Sequence, residues 1–182
     1  MLSDIGFMTM AVTFAELGDK TQLLAFCLAA RFKTRMPIVW GILVATILNH
    51  LLAAYVGVSL REWLSPPLLR IIIIVSFVLM AIWMLIPDKL DDVSCDTKPR
   101  YGVFLTTTLL FFLAEMGDKT QITTLLLASK IGSVPAVVTG TTLGMLIADV
   151  PAVFLGDKLS AKLPLKYLRW GSALIFILFI FI

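Results

Sequence analysis

Histidine occurs once in this chain of 182 residues, at His50, and cysteine twice, at Cys27 and Cys95. No cluster of Cys and His is therefore available to hold zinc or copper. Charge is scarce as well, with Asp, Glu, Lys and Arg together making 15% of the residues against 59% hydrophobic. That balance excludes an ordinary soluble domain and fits an integral membrane protein. The only polar run of any length is Asp88 to Arg100, which leaves almost no room for a soluble unit. The segment Met1 to Phe7 lacks the basic region of a secretory signal and the Arg-rich character of a transit peptide, so the first span is expected to remain in the mature protein. Cys27 lies near one end of that span and Cys95 in the polar run. Neither position suits a structural disulfide.

What the chain has in abundance is apolar sequence. Windows of about 20 apolar residues, enough for a ~30 Å hydrocarbon core, fall at roughly 5–30, 36–58, 67–86, 101–128, 134–155 and 165–182. The expected fold is all-α, with six transmembrane helices. The net charge of +3 is small but its placement is informative. If loops alternate sides, Arg31, Lys33, Arg35, Lys89, Lys98, Arg100, Lys158, Lys162, Lys166 and Arg169 share one side, and only Arg61, Arg70 and Lys130 the other. A bias of ten to three makes the first side cytoplasmic and puts both termini outside the bacterial inner membrane. These basic residues mark topology, so lipid is the expected partner and nucleic acid is not. Trp40, Trp63, Trp83 and Trp170 lie near expected span ends, where interfacial anchoring accounts for them.

Two of these apolar spans carry the same charged heptad: Glu16-Leu-Gly-Asp-Lys-Thr-Gln22 in the first and Glu115-Met-Gly-Asp-Lys-Thr-Gln121 in the fourth. Ionisable groups are costly in hydrocarbon, so a buried duplicate points to an ion pathway. At the offset of 99 residues Gly41 falls on Gly140, His50 on Asp149, Gly57 on Gly156, Leu60 on Leu159, Leu69 on Leu168, Arg70 on Arg169 and Phe77 on Phe176. The chain thus reads as one three-helix repeat over 1–87, a cytoplasmic linker over 88–100 and a second repeat over 101–182. Because three is odd, the second repeat is inverted, an arrangement that places substrate near the midplane between the halves of a secondary transporter. At ~1.5 Å per residue, Glu16 and Glu115 lie roughly 17–21 Å into their spans, near the middle.

On a continuous helix, positions i, i+3 and i+4 share a face, so Glu16, Asp19 and Lys20 are expected to project together, as are Glu115, Asp118 and Lys119. Their four carboxylates and two ammonium groups sum to a formal charge of −2. One divalent cation would cancel it, and so would two protons. Carboxylates crowded in a low dielectric resist ionising together, so protons and a metal can compete for them. With Thr21, Gln22, Thr120 and Gln121 one turn on, this oxygen-rich set suits Ca²⁺ or Mn²⁺. Gly18 and Gly117 either break the helix, freeing carbonyls as ligands, or only allow close packing. Lys20 could neutralise Glu16, and Lys119 Glu115, in the favourable i to i+4 order; each could instead change partner when metal arrives. His50 and Asp149, matched by the repeat, are candidates for the pathway as ligand or proton relay. Asn49 stands beside His50 and could assist it in the pathway, though it faces a different direction. The four aspartates of the linker could gather cations, and a solvated loop explains them equally well.

Two copies of Glu-x-Gly-Asp-(Lys/Arg)-(Ser/Thr) in a six-span chain resemble the MneA family of bacterial manganese exporters. Its eukaryotic relatives are Golgi transporters that exchange Ca²⁺ or Mn²⁺ for protons. The resemblance implies that Glu16, Asp19, Glu115 and Asp118 form the cation site, with Thr21, Gln22, Thr120 and Gln121 beside them, and that cations leave the cytoplasm. His50 and Asp149 lie outside the motif. The expectation is a secondary transporter exporting Mn²⁺ in exchange for protons, with no enzymatic activity and no prosthetic group. A Ca²⁺/H⁺ exchanger or a carrier of another small cation is the alternative. Intramembrane aspartyl proteases are a remote one: they carry Gly-x-Gly-Asp and Tyr-Asp, whereas here glutamate replaces the first glycine and the two motifs are alike.

Overall fold

The structure, a computed structural model, describes residues 2–86, 101–155, 170–171 and 173–178. The linker 88–100 with Cys95, the basic residues Lys89, Lys98, Arg100, Lys158, Lys162, Lys166 and Arg169, and the repeat partners Gly156, Leu159 and Leu168 lie outside those residues. The described elements are helices: α1 (Leu2–Glu16), α2 (Lys20–Phe32), α3 (Arg35–Trp63), α4 (Pro66–Met84), α5 (Val103–Glu115), α6 (Lys119–Ile131) and α7 (Val134–Leu155). Residues 173–178 are also helical, within the sixth expected span. By length and composition α3, α4 and α7 could each cross a membrane, and α5 is a shorter apolar helix.

The spans expected at 5–30 and 101–128 are not continuous. Each divides at its heptad, α1 from α2 after Glu16 and α5 from α6 after Glu115. Gly18 (φ +83°) and Gly117 (φ +74°) hold the turns, in a left-handed region that glycine enters without steric cost. Of the two readings of these glycines, the helix break is the one found. Elsewhere the ends follow ordinary chemistry. Proline in its first turn starts α4 after Ser65, and Gly132 (φ +74°) ends α6.

Contacts between helices fix their directions. Gly41 of α3 lies against Thr107 and Phe104 of α5, and its repeat mate Gly140 of α7 lies against Met8 and Ile5 of α1. These contacts are reciprocal at the 99-residue offset. Asn49 reaches Phe112 and Arg61 reaches Lys130, so α5 and then α6 run alongside α3 in the same direction. Likewise α1 and then α2 run with α7, through Thr9 to the Gly140 carbonyl (3.0 Å), Thr13 to the Gly144 carbonyl (3.2 Å) and Gln22 to the Ala148 carbonyl (3.0 Å). Arg35 stands over the Phe154 ring while His50 meets Thr141, so α3 and α7 are antiparallel. Phe77 and Phe176, repeat mates, pack on each other with ring centroids 6.2 Å apart.

Two apolar clusters fill the interior. One joins α1, the second half of α3, α4, α6 and the start of α7 with Ala173 and Phe176; the other joins α2, the first half of α3, α5 and the end of α7. Each broken helix passes from one cluster to the other, and the crossing point is its heptad. Glycine permits the close approach: a Cβ at Gly57 would collide with the Leu125 carbonyl, and one at Gly144 would sit 2.7 Å from the Thr9 carbonyl oxygen. Cys27 departs from expectation. It is disulfide-bonded, whereas the expectation had rested on the compartment assigned to the cysteines; Cys95 lies outside the described residues.

Gly57→Val should cost about 1–3 kcal/mol through overpacking against a backbone oxygen that cannot yield. Thermal melting in detergent should show a lower Tm. Gly6→Ala, where an added Cβ meets nothing within 4 Å, should leave the Tm equal or higher because alanine favours the helix.

Candidate metal site

The two turns share one construction. Asp19 (φ −82°, ψ 171°) and Asp118 (φ −79°, ψ 167°) occupy the N-cap positions of α2 and α6 in extended conformation, yet neither side chain caps its helix. Three residues on, glutamine does the holding. Gln22 Oε1 accepts from the Gly18 N–H at 2.9 Å, and Gln121 Oε1 from the Gly117 N–H at 2.7 Å. This is akin to the reach-back of a capping box, shifted one residue before the N-cap. The place of Asp19 and Asp118 at helix N-termini favours negative charge there.

The expected common face of Glu16, Asp19 and Lys20 does not form, because the chain leaves one helix at Glu16 and enters the next at Lys20. Nor does either lysine take the glutamate four residues before it as its ion-pair partner. Lys20 Nζ lies 2.8 Å from Asp118 Oδ1, and Lys119 Nζ lies 3.7 Å from Asp19 Oδ1. The pairs cross between the heptads. An i to i+4 pair needs an unbroken turn of helix, and the glycine break removes it.

Glu16, Asp19 and Asp118 each present an oxygen within 4.8 Å of the others, and all three residues are buried. Oxygens bound to one Ca²⁺-sized ion at 2.3–2.6 Å stand at most about 5 Å apart, so this group has the span of a single cation site. Glu16 accepts the Thr21 hydroxyl at 2.7 Å on one oxygen and the Thr120 hydroxyl on the other. Both heptad threonines therefore serve one glutamate. Glu115 stands outside the group of three; it is fully buried, and neither carboxyl oxygen has a hydrogen-bond partner among the described residues.

The neighbours sort by helix. Asn49 donates to the Phe112 carbonyl at 3.1 Å and accepts from Gln121 Nε2 at 3.3 Å, so it ties α3 to the α5–α6 turn. Gln22 ties the α1–α2 turn to α7 through the Ala148 carbonyl. His50 does face elsewhere, with Nδ1 at 2.9 Å from Thr141 Oγ1 and 3.3 Å from Thr142 Oγ1. Asp149, its repeat mate, is fully buried, and its carboxyl oxygens have no hydrogen-bond partner among the described residues. Sequence reasoning missed Thr141, Thr142 and Trp83. Trp83 of α4 stands with its ring centroid 6.0 Å from Lys119 Nζ, close to the outer limit for a cation–π contact. No sequence signal marks that contact, which arises from the packing of α4 on α6.

A family model described as "Divalent cation/proton antiporter GDT1" matches residues 5–92 and 103–181. A Vibrio cholerae protein described as "Putative manganese exporter" is 44% identical over 180 residues, covering 98% of this chain and 88% of that protein. A GDT1-like protein of Synechocystis sp. is 28% identical over 186 residues, covering 92% of this chain and 90% of its own length. No solved structure matches the chain significantly.

The crossing pairs predict an energetic coupling that the sequence order does not. In a double-mutant cycle with Lys20→Met and Asp118→Asn, thermal stability in detergent should reveal a coupling of about 1 kcal/mol or more. The cycle with Lys20→Met and Glu16→Gln should give clearly less.

Proposed function

The chain belongs to the GDT1 family of divalent cation/proton antiporters, and from that premise we propose that it exports Mn²⁺ from the cytoplasm in exchange for protons, through the carboxylates at its two helix breaks. The observation that carries this reading is the buried group Glu16, Asp19 and Asp118, drawn from both heptads and spaced for one cation. Glu115 is the fourth carboxylate of the site. Thr21 and Thr120 orient Glu16, while Gln22, Gln121 and Asn49 hold the two turns. Lys20 and Lys119 compete with the incoming ion for the oxygens of Asp118 and Asp19. Mn²⁺ is substrate here and the chain carries no prosthetic group; the protein acts as a transporter and not as an enzyme.

Proton exchange draws on the same chemistry. A carboxylate buried without a partner costs several kcal/mol, and a proton removes that charge. Asp149 fits a relay on this ground, and His50 Nε2, buried and without a hydrogen-bond partner among the described residues, offers a second station. The architecture proposed is six spans in two inverted repeats, 1–87 and 101–182, joined by the cytoplasmic linker 88–100. Both termini face outside the inner membrane. The antiparallel course of α3 and α7 and the reciprocal glycine contacts support it. Ca²⁺ is the competing cargo, because an all-oxygen set accepts either ion.

In liposomes, flux of Mn²⁺, Ca²⁺ and Mg²⁺ measured with and without a pH gradient should show Mn²⁺ transport that depends on the gradient. Asp19→Asn and Asp118→Asn should each abolish it. Undiminished manganese flux in both variants would overturn the proposal, and preferential carriage of Ca²⁺ would favour the calcium exchanger.

A further inference from the structure

We infer that Asn49 is the positioning residue of the second helix break: it bridges the break from α3 and thereby sets where Asp118 stands when a divalent cation binds. The inference rests on the transport reading above. Asn49 is fully buried and touches both sides of the break. Its Nδ2 donates to the carbonyl of Phe112, in the last turn of α5, at 3.1 Å, and its Oδ1 accepts from Gln121 Nε2, in the first turn of α6, at 3.3 Å. Gln121 Oε1 in turn accepts from the Gly117 N–H at 2.7 Å. One chain of three hydrogen bonds thus runs from α5 across to α6 and back into the turn. An amide suits this place, because it carries a donor and an acceptor on one planar group.

The repeat supplies this bridge only once. At the 99-residue offset Asn49 falls on Ala148, whose side chain has no polar atom, and Gln22, the mate of Gln121, ends on the Ala148 carbonyl at 3.0 Å. The first turn is therefore held to the main chain of α7, whereas the second depends on one replaceable side chain of α3. Packing does not substitute for it: a Cβ at Gly117 would meet nothing within 4 Å, and Met116 is 56% exposed. Lys20 pairs with Asp118, but its ammonium sits on a flexible four-carbon stem that follows the carboxylate without fixing it. Asp118 comes directly after Gly117, and one of its oxygens lies within 4.8 Å of oxygens of Glu16 and Asp19. Ligands of one Ca²⁺-sized ion span at most about 5 Å, so an unheld turn spreads the Asp118 carboxylate over positions beyond reach, whichever of its oxygens the ion uses. Holding the turn in advance reduces the ordering that binding must impose.

Mn²⁺ binding by calorimetry in detergent and Mn²⁺ flux in liposomes test the assignment on the full chain. Asn49→Ala should raise the Mn²⁺ Kd and KM about tenfold, with kcat changed far less. In a Gln121→Ala background Asn49→Ala should add little, because the bridge is already broken. In a Gln22→Ala background, which frees the other turn, it should keep its full effect. A residue that only supports the fold would lower the Tm and leave the Kd unchanged; that result would overturn the proposal, as would an undiminished effect of Asn49→Ala without Gln121. If Asn49→Ala does not fold, Gln121→Ala decides, a raised Kd supporting the bridge and a native Kd overturning it. If the native chain neither binds nor carries a divalent cation, the transport reading itself fails, whereas native binding with a Kd indifferent to Asn49 and Gln121 sinks this inference alone.

Discussion

An ammonium or carboxylate can remain ionised away from water only with its opposite within a few ångströms, and in this chain the opposites come from different halves. Lys20 meets Asp118 and Lys119 meets Asp19. The rest of the construction serves that exchange. The helices must break so that the aspartates stand at N-termini, glycine must take the left-handed turn, and glutamine holds the glycine amide of that turn. The two halves must also approach closely, which Gly41, Gly57, Gly140 and Gly144 allow. Leaving one partner of a buried pair uncompensated costs several kcal/mol, so the halves are tied by charge as well as by apolar packing.

The heptads are nearly identical in sequence and unequal in the structure. Both threonines bond Glu16, while Glu115 has neither. The Lys20 side chain is partly exposed, whereas Lys119 is buried with the Trp83 ring centroid 6.0 Å from its Nζ. Nothing in a repeated sequence distinguishes its copies. The distinction enters through what each copy packs against.

Much of this was legible in the residues. The duplicated heptad, its 99-residue offset and the excess of apolar residues pointed to paired acidic turns buried in a membrane protein, and Glu16, Asp19 and Asp118 do converge. The resemblance that the motif carries agrees with the family to which the chain belongs. The sequence misled where it was read as a continuous helix. Glu16, Asp19 and Lys20 share a face only if the turn between them is helical, and Gly18 at φ +83° ends it. Read without the break, the lysines fell to the wrong carboxylates. The position of Trp83 near a span end carries no signal of its place beside Lys119.

The sequence by itself determined which groups would be buried: composition and repeat are local properties, and burial of charge in an apolar span can be read from the span. Only the tertiary structure decided who partners whom. Ion pairing depends on distances between residues about a hundred positions apart, and those are set by the packing of α3 on α5 and α6 and of α7 on α1 and α2. The same packing gave one glutamate both hydroxyls and one lysine an aromatic neighbour, choices that two matching strings of seven residues could not make for themselves.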